Sequence, residues 1–185
     1  MMPEISLNIL DVTMNSVKAG ARLVGISVIA DTGADTLTVI IEDDGCGMNE
    51  EQVKKVTDPF YTTRDTRKVG LGVPFFKMAA LQSGGSFEIK SEPGVGTKVT
   101  AVFGLSNIDR MPLGDMAETI HMIVTMNEET DFVYTHKVDD RGFVLDTRQM
   151  REILGGLSFK EPEVSSYIKE YLEENIAESG NGTVI

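Results

Sequence analysis

The sequence holds a single cysteine, Cys46, so no internal disulfide can form and a zinc site of clustered cysteines is excluded. No apolar run approaches the ~20 residues that a membrane-spanning helix needs. The opening MMPEISLNIL has no basic stretch ahead of an apolar one, which predicts no signal peptide. Together these absences lead us to expect a cytoplasmic chain without membrane contact. Positive charge is also scarce: 17 Lys and Arg stand against 29 Asp and Glu, a formal charge of −12. Duplex nucleic acid is held by clustered basic side chains, so no such partner is expected. There is no internal repeat and no low-complexity segment. What remains is a 185-residue composition, 41% hydrophobic and 25% charged, that suits one ordinary domain with an appendage. The acid is unevenly spread, with 13 acidic and 10 basic side chains in residues 1–104 but 16 and 7 in residues 105–185. That asymmetry predicts two regions with different roles.

Apolar Leu7, Leu10, Met14 and Val17 recur at steps of three and four, predicting a helix from about Ile5 to Ala21. Val24–Ala30 and Leu37–Glu42 read as two strands of a hairpin around Asp-Thr-Gly-Ala-Asp. A short helix over Asn49–Val56 is capped by Asn49, and another runs over Val73–Ser83 to a Gly84-Gly85 stop. Ser86–Ser91 and Thr97–Phe103 form a second hairpin. The order predicts an α+β sandwich with helices on one face of a mostly antiparallel sheet. A boundary falls near Ser106–Gly114. Beyond it, Thr119–Met126, Asp131–Val138 and Phe143–Leu145 read as strands, followed by a helix capped by Asp146 or Thr147 and a last helix from about Pro162.

Asp11 and Asn15 stand four apart on the first helix and share a face. Such a pair can hold Mg²⁺ together, or one can hold the metal while the other orients water; a polar helix flank is the plainer alternative. Lys18, a turn further on, can reach a phosphate. Asp43 ends a strand just before Gly45 and Gly47, where a carboxylate can accept from an exocyclic amine and glycines admit a flat ligand close to the chain. The stretch from Asp58 through Arg64, Arg67 and Lys68 to Gly70-Leu71-Gly72 is a basic loop running into glycines at a helix start, an arrangement that cradles phosphates. Its spacing is neither that of a P-loop nor that of a Rossmann turn.

These elements, in this order, resemble the GHKL ATPases: gyrase, heat-shock chaperone, histidine kinase and mismatch-repair ATPases. Leu10–Ala21 resembles the N box, Asp43-Asp-Gly-Cys-Gly-Met48 the G1 box, and Asp58-Pro-Phe-Tyr-Thr-Thr-Arg64 the F box. Gly70-Leu-Gly-Val-Pro74 resembles the G2 box, and Gly94-Val-Gly-Thr97 the closing Gly-x-Gly-Thr. The resemblance covers about residues 5–104. It implies the two-layer α/β sandwich of that superfamily for residues 1–104; beyond the resemblance, the residue pattern predicts a linker over 105–114 and a small acidic α+β segment over 115–185. The resemblance implies ATP and Mg²⁺ as cofactors, with Asn15 a metal ligand and Asp11 a catalytic base or second ligand. Asp43 would bind adenine, with Gly45, Gly47, Met48 and Thr97 around it. Phe60, Thr63, Gly70, Leu71 and Gly72 would meet the nucleotide, and Lys18, Arg64 and Lys68 its triphosphate. The short lid is most similar to sensor histidine kinases, whereas Asn15-Ser-Val-Lys-Ala-Gly-Ala21 leans towards the mismatch-repair ATPases. Two positions depart from the family pattern: Asp11 replaces the usual Asn or Glu, and Val69 replaces a small hydroxyl residue.

Three functions follow as expectations. The first is a stand-alone catalytic or regulatory subunit that passes the γ-phosphate to a His or Ser/Thr of a partner protein. The second is an ATP-gated switch or slow ATPase without phosphotransfer. The third is a nucleotide-binding module whose C-terminal segment forms a homodimer. His121 and His136, both in segments read as strands, lack the pattern of a phosphoacceptor site.

Overall fold

Alternating apolar residues decide which face of each strand turns inward, and the strands of this chain alternate almost without interruption. The computed structural model describes residues 3–58, 71–181 and 185. Helix α1 (Ile5–Lys18) leads into the hairpin β1 (Leu23–Asp31) and β2 (Thr36–Asp43). Helices α2 (Glu50–Thr57) and α3 (Gly72–Gln82) precede a second hairpin, β3 (Ser86–Glu92) and β4 (Gly96–Gly104). Then come α4 (Met116–Met126), the strands β5 (Asp131–Val138) and β6 (Arg141–Asp146), and the helices α5 (Thr147–Ile153) and α6 (Pro162–Gly180). The strands form one six-stranded sheet in the order β3-β4-β2-β1-β5-β6. Every neighbouring pair is antiparallel except β1 and β5.

The sequence pattern therefore predicts the layers correctly: α+β, with helices on one face of a mixed, mostly antiparallel sheet. Val24, Ile26, Val28 and Ala30 of β1 are buried, as are Leu37, Val39 and Ile41 of β2. They pack beneath Ile5, Ile9 and Val12 of α1 and Val73, Phe76 and Ala80 of α3, which are buried too. Each such side chain contributes roughly 1.5–3 kcal/mol on leaving water. The short helix α2 begins as expected at Asn49, whose side chain accepts from the Gln52 backbone while Gln52 returns the bond to the Asn49 N–H. This reciprocal cap closes two otherwise open donors.

The C-terminal segment differs from its sequence reading in one element. Thr119–Met126, read as a strand, lies in helix α4. The Asp115 side chain accepts from Glu118 N at 2.8 Å and caps this helix. Met116, Ile120, Ile123 and Val124 are buried along one side, at helical and not alternating spacing. The β-branched run lowers helix propensity by only a few tenths of a kcal/mol per residue, less than burial of that face returns. Segment 115–185 joins the main sheet, since β5 runs parallel to β1 over Leu23–Ala30. Helix α6 buries Val164, Ile168 and Leu172 over β5 and β6. His121 thus sits on a helix, and His136 is the strand residue of the two.

Candidate nucleotide-binding site

At one end of the sheet three strands bring polar side chains into a row. The register sets Ser91 of β3 opposite Thr97 of β4, and Thr97 opposite Asp43 of β2. The same row continues to buried Val24 and Phe132 on neighbouring strands, so its side chains face the helical layer. Ser91 Oγ lies 2.7 Å from Thr97 Oγ1, accepts from the Met48 N–H at 2.8 Å and lies 3.0 Å from the Gly96 carbonyl, to which it donates. One hydroxyl thereby ties the turn after β2 to the start of β4.

Asp43 is held from both sides. Ser16 of α1 donates to its Oδ2 at 2.5 Å, and the Gly45 N–H donates to its Oδ1 at 2.9 Å. A carboxylate has about four acceptor positions, so two remain for a ligand donor. The chain beyond it can pass only as glycine. Gly47 has φ +65°, and a Cβ there would fall 1.9 Å from the Glu92 carbonyl oxygen. No side chain fits that gap, and the tight passage keeps the floor of the cleft flat.

The resulting cleft has a volume of about 170 Å³. Val12, Val73 and Val99 are buried in its wall, while Asn15, Asp43 and Thr97 supply polar groups. Flat apolar walls with one fixed carboxylate suit a heteroaromatic base that carries an amine. Asn15 is half-buried, and its side-chain amide makes no hydrogen bond among the described residues. Lys18 is exposed at the margin, as is the thiol of Cys46.

Asp11 lies elsewhere on α1. It lines a neighbouring groove with Leu10 and Met14, and its carboxylate abuts the first turn of α3, where a Cβ on Gly72 would fall 1.9 Å from Asp11 Oδ2. The helix start implied as the phosphate site thus carries this carboxylate beside it. Leu71 is exposed just before that turn. The Gly45 N–H donates to Asp43, and Gly47 and Met48 line the cleft beside it. Phe60, Thr63, Arg64, Lys68 and Gly70 lie outside the described residues. No cluster of three or more His, Cys, Asp or Glu that could hold a metal occurs among the described residues.

The sequence reading missed Ser16 and Ser91. Ser16 was within reach: Val12, Asn15, Ser16 and Ala19 follow helical spacing and line the cleft together. Ser91 had no such signal, because its role depends on the register between β3 and β4.

A sandwich whose sheet end carries an anchored aspartate, beneath a helix bearing an open asparagine, belongs to the class of nucleotide-binding α/β proteins. The chain is a member of the histidine kinase-, DNA gyrase B- and HSP90-like ATPase family, whose model matches residues 4–107. A sensor protein of Shewanella frigidimarina is 31% identical over 103 residues, 55% of this chain and 16% of that protein. Sensor protein SrrB of Staphylococcus aureus is 32% identical over 101 residues, 52% of this chain and 17% of that protein. The chain therefore spans about a sixth of the length of these curated relatives. Among solved structures, the Aquifex aeolicus MutL ATPase domain complexed with ADP superposes with TM-score 0.50 at 15% identity, covering 84% of this chain and 70% of that one. The N-terminal domain of a DNA repair protein superposes with TM-score 0.51 at 12% identity, over 78% of this chain and 52% of that one. These likenesses extend to the fold. The family match makes the N-terminal region an ATP-binding domain of histidine-kinase type. No described helix is long and apolar enough to cross a membrane.

Proposed function

We propose that this chain binds Mg-ATP in the cleft between α1, β2 and β4 and transfers the γ-phosphoryl group to a partner protein. The observation that carries the reading is the doubly held Asp43, with acceptor positions left free in a cleft of the right shape. Asp43 accepts from the exocyclic amine of adenine, and Thr97 and Ser91 fix the edge of the base pocket. The open amide of Asn15 is the group that would hold Mg²⁺, and the carboxylate of Asp11 would serve either as a second ligand or as the base. Bound there, Mg²⁺ would supply positive charge against the nucleotide phosphates. As the base, Asp11 of α1, set against the first turn of α3, takes the proton of an attacking hydroxyl as its oxygen bonds to the γ-phosphorus and the bond to the β-phosphate oxygen breaks, releasing ADP. Lys18 neutralises phosphate charge from the margin.

A second reading, an ATP-gated switch with slow hydrolysis, is favoured by one observation. The MutL ATPase domain complexed with ADP superposes over 84% of this chain. In that case ATP shifts a conformational balance and water replaces the protein acceptor.

A time course with γ-labelled ATP and Mg²⁺ separates the two. Free phosphate rising in proportion to the protein, and lost in Asp11→Asn, selects the switch. ATP binding without free phosphate, with label appearing on an added partner protein, selects phosphotransfer. Asp43→Asn should weaken ATP binding at least about tenfold, the worth of a hydrogen bond to a charged group. Unchanged affinity in that variant removes the cleft from the mechanism altogether.

A further inference from the structure

Three buried side-chain polar atoms among the described residues have no hydrogen-bond partner: Asn8 Oδ1, Thr13 Oγ1 and His136 Nε2. A polar group left open inside a protein is costly, and each one calls for a physical account. His136 borders a hollow of about 520 Å³ between α4, β5 and α6. Buried Leu113, Met116 and Ala117 line it, together with half-buried Ile176 and Ile185. The hollow shares no lining residue with the nucleotide cleft.

The neighbour of the ring decides which nitrogen carries the proton. Nδ1 lies 2.8 Å from the Tyr134 hydroxyl, which has no other partner among the described residues. Burial pushes the Tyr134 phenol far above its ordinary range and His136 down to about 4. At neutral pH the phenol therefore holds its proton and the ring is uncharged. A ring protonated on Nδ1 would leave two groups open, the phenol O–H and the bare Nε2. A ring protonated on Nε2 accepts from the phenol at Nδ1 and leaves one, the Nε2–H. The second arrangement costs less, so what borders the hollow is an N–H that lacks an acceptor.

We propose that this hollow is a second ligand site, taking a small uncharged apolar molecule whose carbonyl oxygen accepts a hydrogen bond from His136 Nε2–H. The lining selects that chemistry. A hydrocarbon would match the walls and leave the N–H open. A carboxylate would meet the exposed Asp115 and Glu173, which also line the hollow, and a neutral ring supplies no cation to balance it. A hydroxyl can accept, but it brings a proton of its own that apolar walls cannot take. A carbonyl brings lone pairs alone. His136 is itself fully buried, so the bond would form without competition from solvent. The volume is that of a site for a drug-sized molecule.

Equilibrium dialysis of the full chain with the uncharged naphthyl ketone Prodan tests this, alongside an isosteric dye with CH₂ in place of C=O. The ketone should bind at one site per chain and stay bound under saturating Mg-ATP. The methylene dye should bind roughly tenfold more weakly, the worth of one hydrogen bond. In His136→Leu the two dyes should bind alike. Ala177→Trp, which adds a ring at an exposed position on the wall, should exclude both while circular dichroism and ATP affinity hold. Should His136→Leu fail to fold, nitrogen NMR of the wild-type imidazole decides the same point. The proton must lie on Nε2, and its resonance must move when the ketone is added. A proton on Nδ1 overturns the proposal. So do a wild type that binds no ketone, equal affinity for the two dyes, release by ATP, or binding that survives Ala177→Trp.

Discussion

At the nucleotide end of the sheet two glycines are pressed against the backbone of neighbouring strands. A Cβ on Gly47 would lie 1.9 Å from the Glu92 carbonyl oxygen, and one on Gly96 1.9 Å from that of Asp43. In the C-terminal segment, Gly155 and Gly156 also have positive φ, yet a Cβ on either would meet nothing within 4 Å. The first pair of glycines is demanded by close approach of other parts of the chain, and the second only by the local turn. What organises the C-terminal segment is apolar packing: Ile120, Ile123, Phe132, Ile168 and Leu172 are each no more than 1% exposed. Close backbone approach admits one residue type and leaves a motif. Packing admits many sequences of similar volume and leaves only periodicity.

The comparison breaks most visibly if the two regions can be separated. Ending the chain at residue 114 would strip β5 from β1 and α4 from α1, exposing an edge and much of the helical layer. Several buried side chains at roughly 1.5–3 kcal/mol each would be lost against a typical total stability of 5–15 kcal/mol. The shortened chain should lack cooperative unfolding by circular dichroism and fail to bind ATP. A folded, ATP-binding product would make residues 115–185 an independent appendage instead.

Smaller effects sharpen the division of labour. Ile168→Ala, in the middle of α6 and fully buried, should cost about 2–5 kcal/mol in a denaturant titration. The transition should stay single, and ATP affinity below it should hold, because the side chain lies in the layer over β5 and β6, far from the cleft. Next comes the buried His136. Burial lowers its pKa from 6.5 to about 4, while Nδ1 lies 2.8 Å from the Tyr134 hydroxyl and Nε2 has no partner. The unfolded chain takes up the proton first as pH falls. Stability from the neutral ring is therefore complete above about pH 6.5, declines below it, and is gone below about pH 4, on the order of 3 kcal/mol in all. Urea midpoints at pH 7 and pH 5 should differ more in the wild type than in His136→Gln.

Legibility follows the same division. The Asp43–Met48 turn, the Asn49 cap and the Gly84-Gly85 stop could all be read because each needs a particular residue type at a particular place. So could the order of the first seven elements. Helix α4 could not, because Thr119–Met126 is rich in β-branched residues and its helical state depends on a core supplied by residues far along the chain. The parallel pairing of β1 with β5 left no local trace either: it joins residues more than a hundred positions apart. Within the site, Asp43 was legible from its glycines. Ser91 was not, since only the strand register brings it to Thr97.

Two hydroxyls with the same chemistry give the finest test. Ser16 Oγ donates to Asp43, and Thr147 Oγ1 accepts from the Phe132 N–H at 2.8 Å and lies 3.2 Å from Asp131 Oδ1. Each is nearly inaccessible, at 5% and 0% exposure. Replacing Thr147 by alanine leaves the Phe132 N–H unpaired inside the protein, at a cost of about 1–3 kcal/mol in stability and nothing in ATP affinity. Replacing Ser16 by alanine frees a carboxylate oxygen that the open cleft lets water reach, so stability should fall less. The aspartate then loses the bond that fixes its angle towards the base, and ATP affinity should drop roughly tenfold, about 1.4 kcal/mol. Calorimetric titration with ATP and a denaturant melt of both variants fill a two-by-two comparison. If Ser16→Ala lowers stability and spares affinity while Thr147→Ala does the same, the hydroxyl on α1 is a packing element. The orientation of Asp43 would then come from the Gly45 N–H alone.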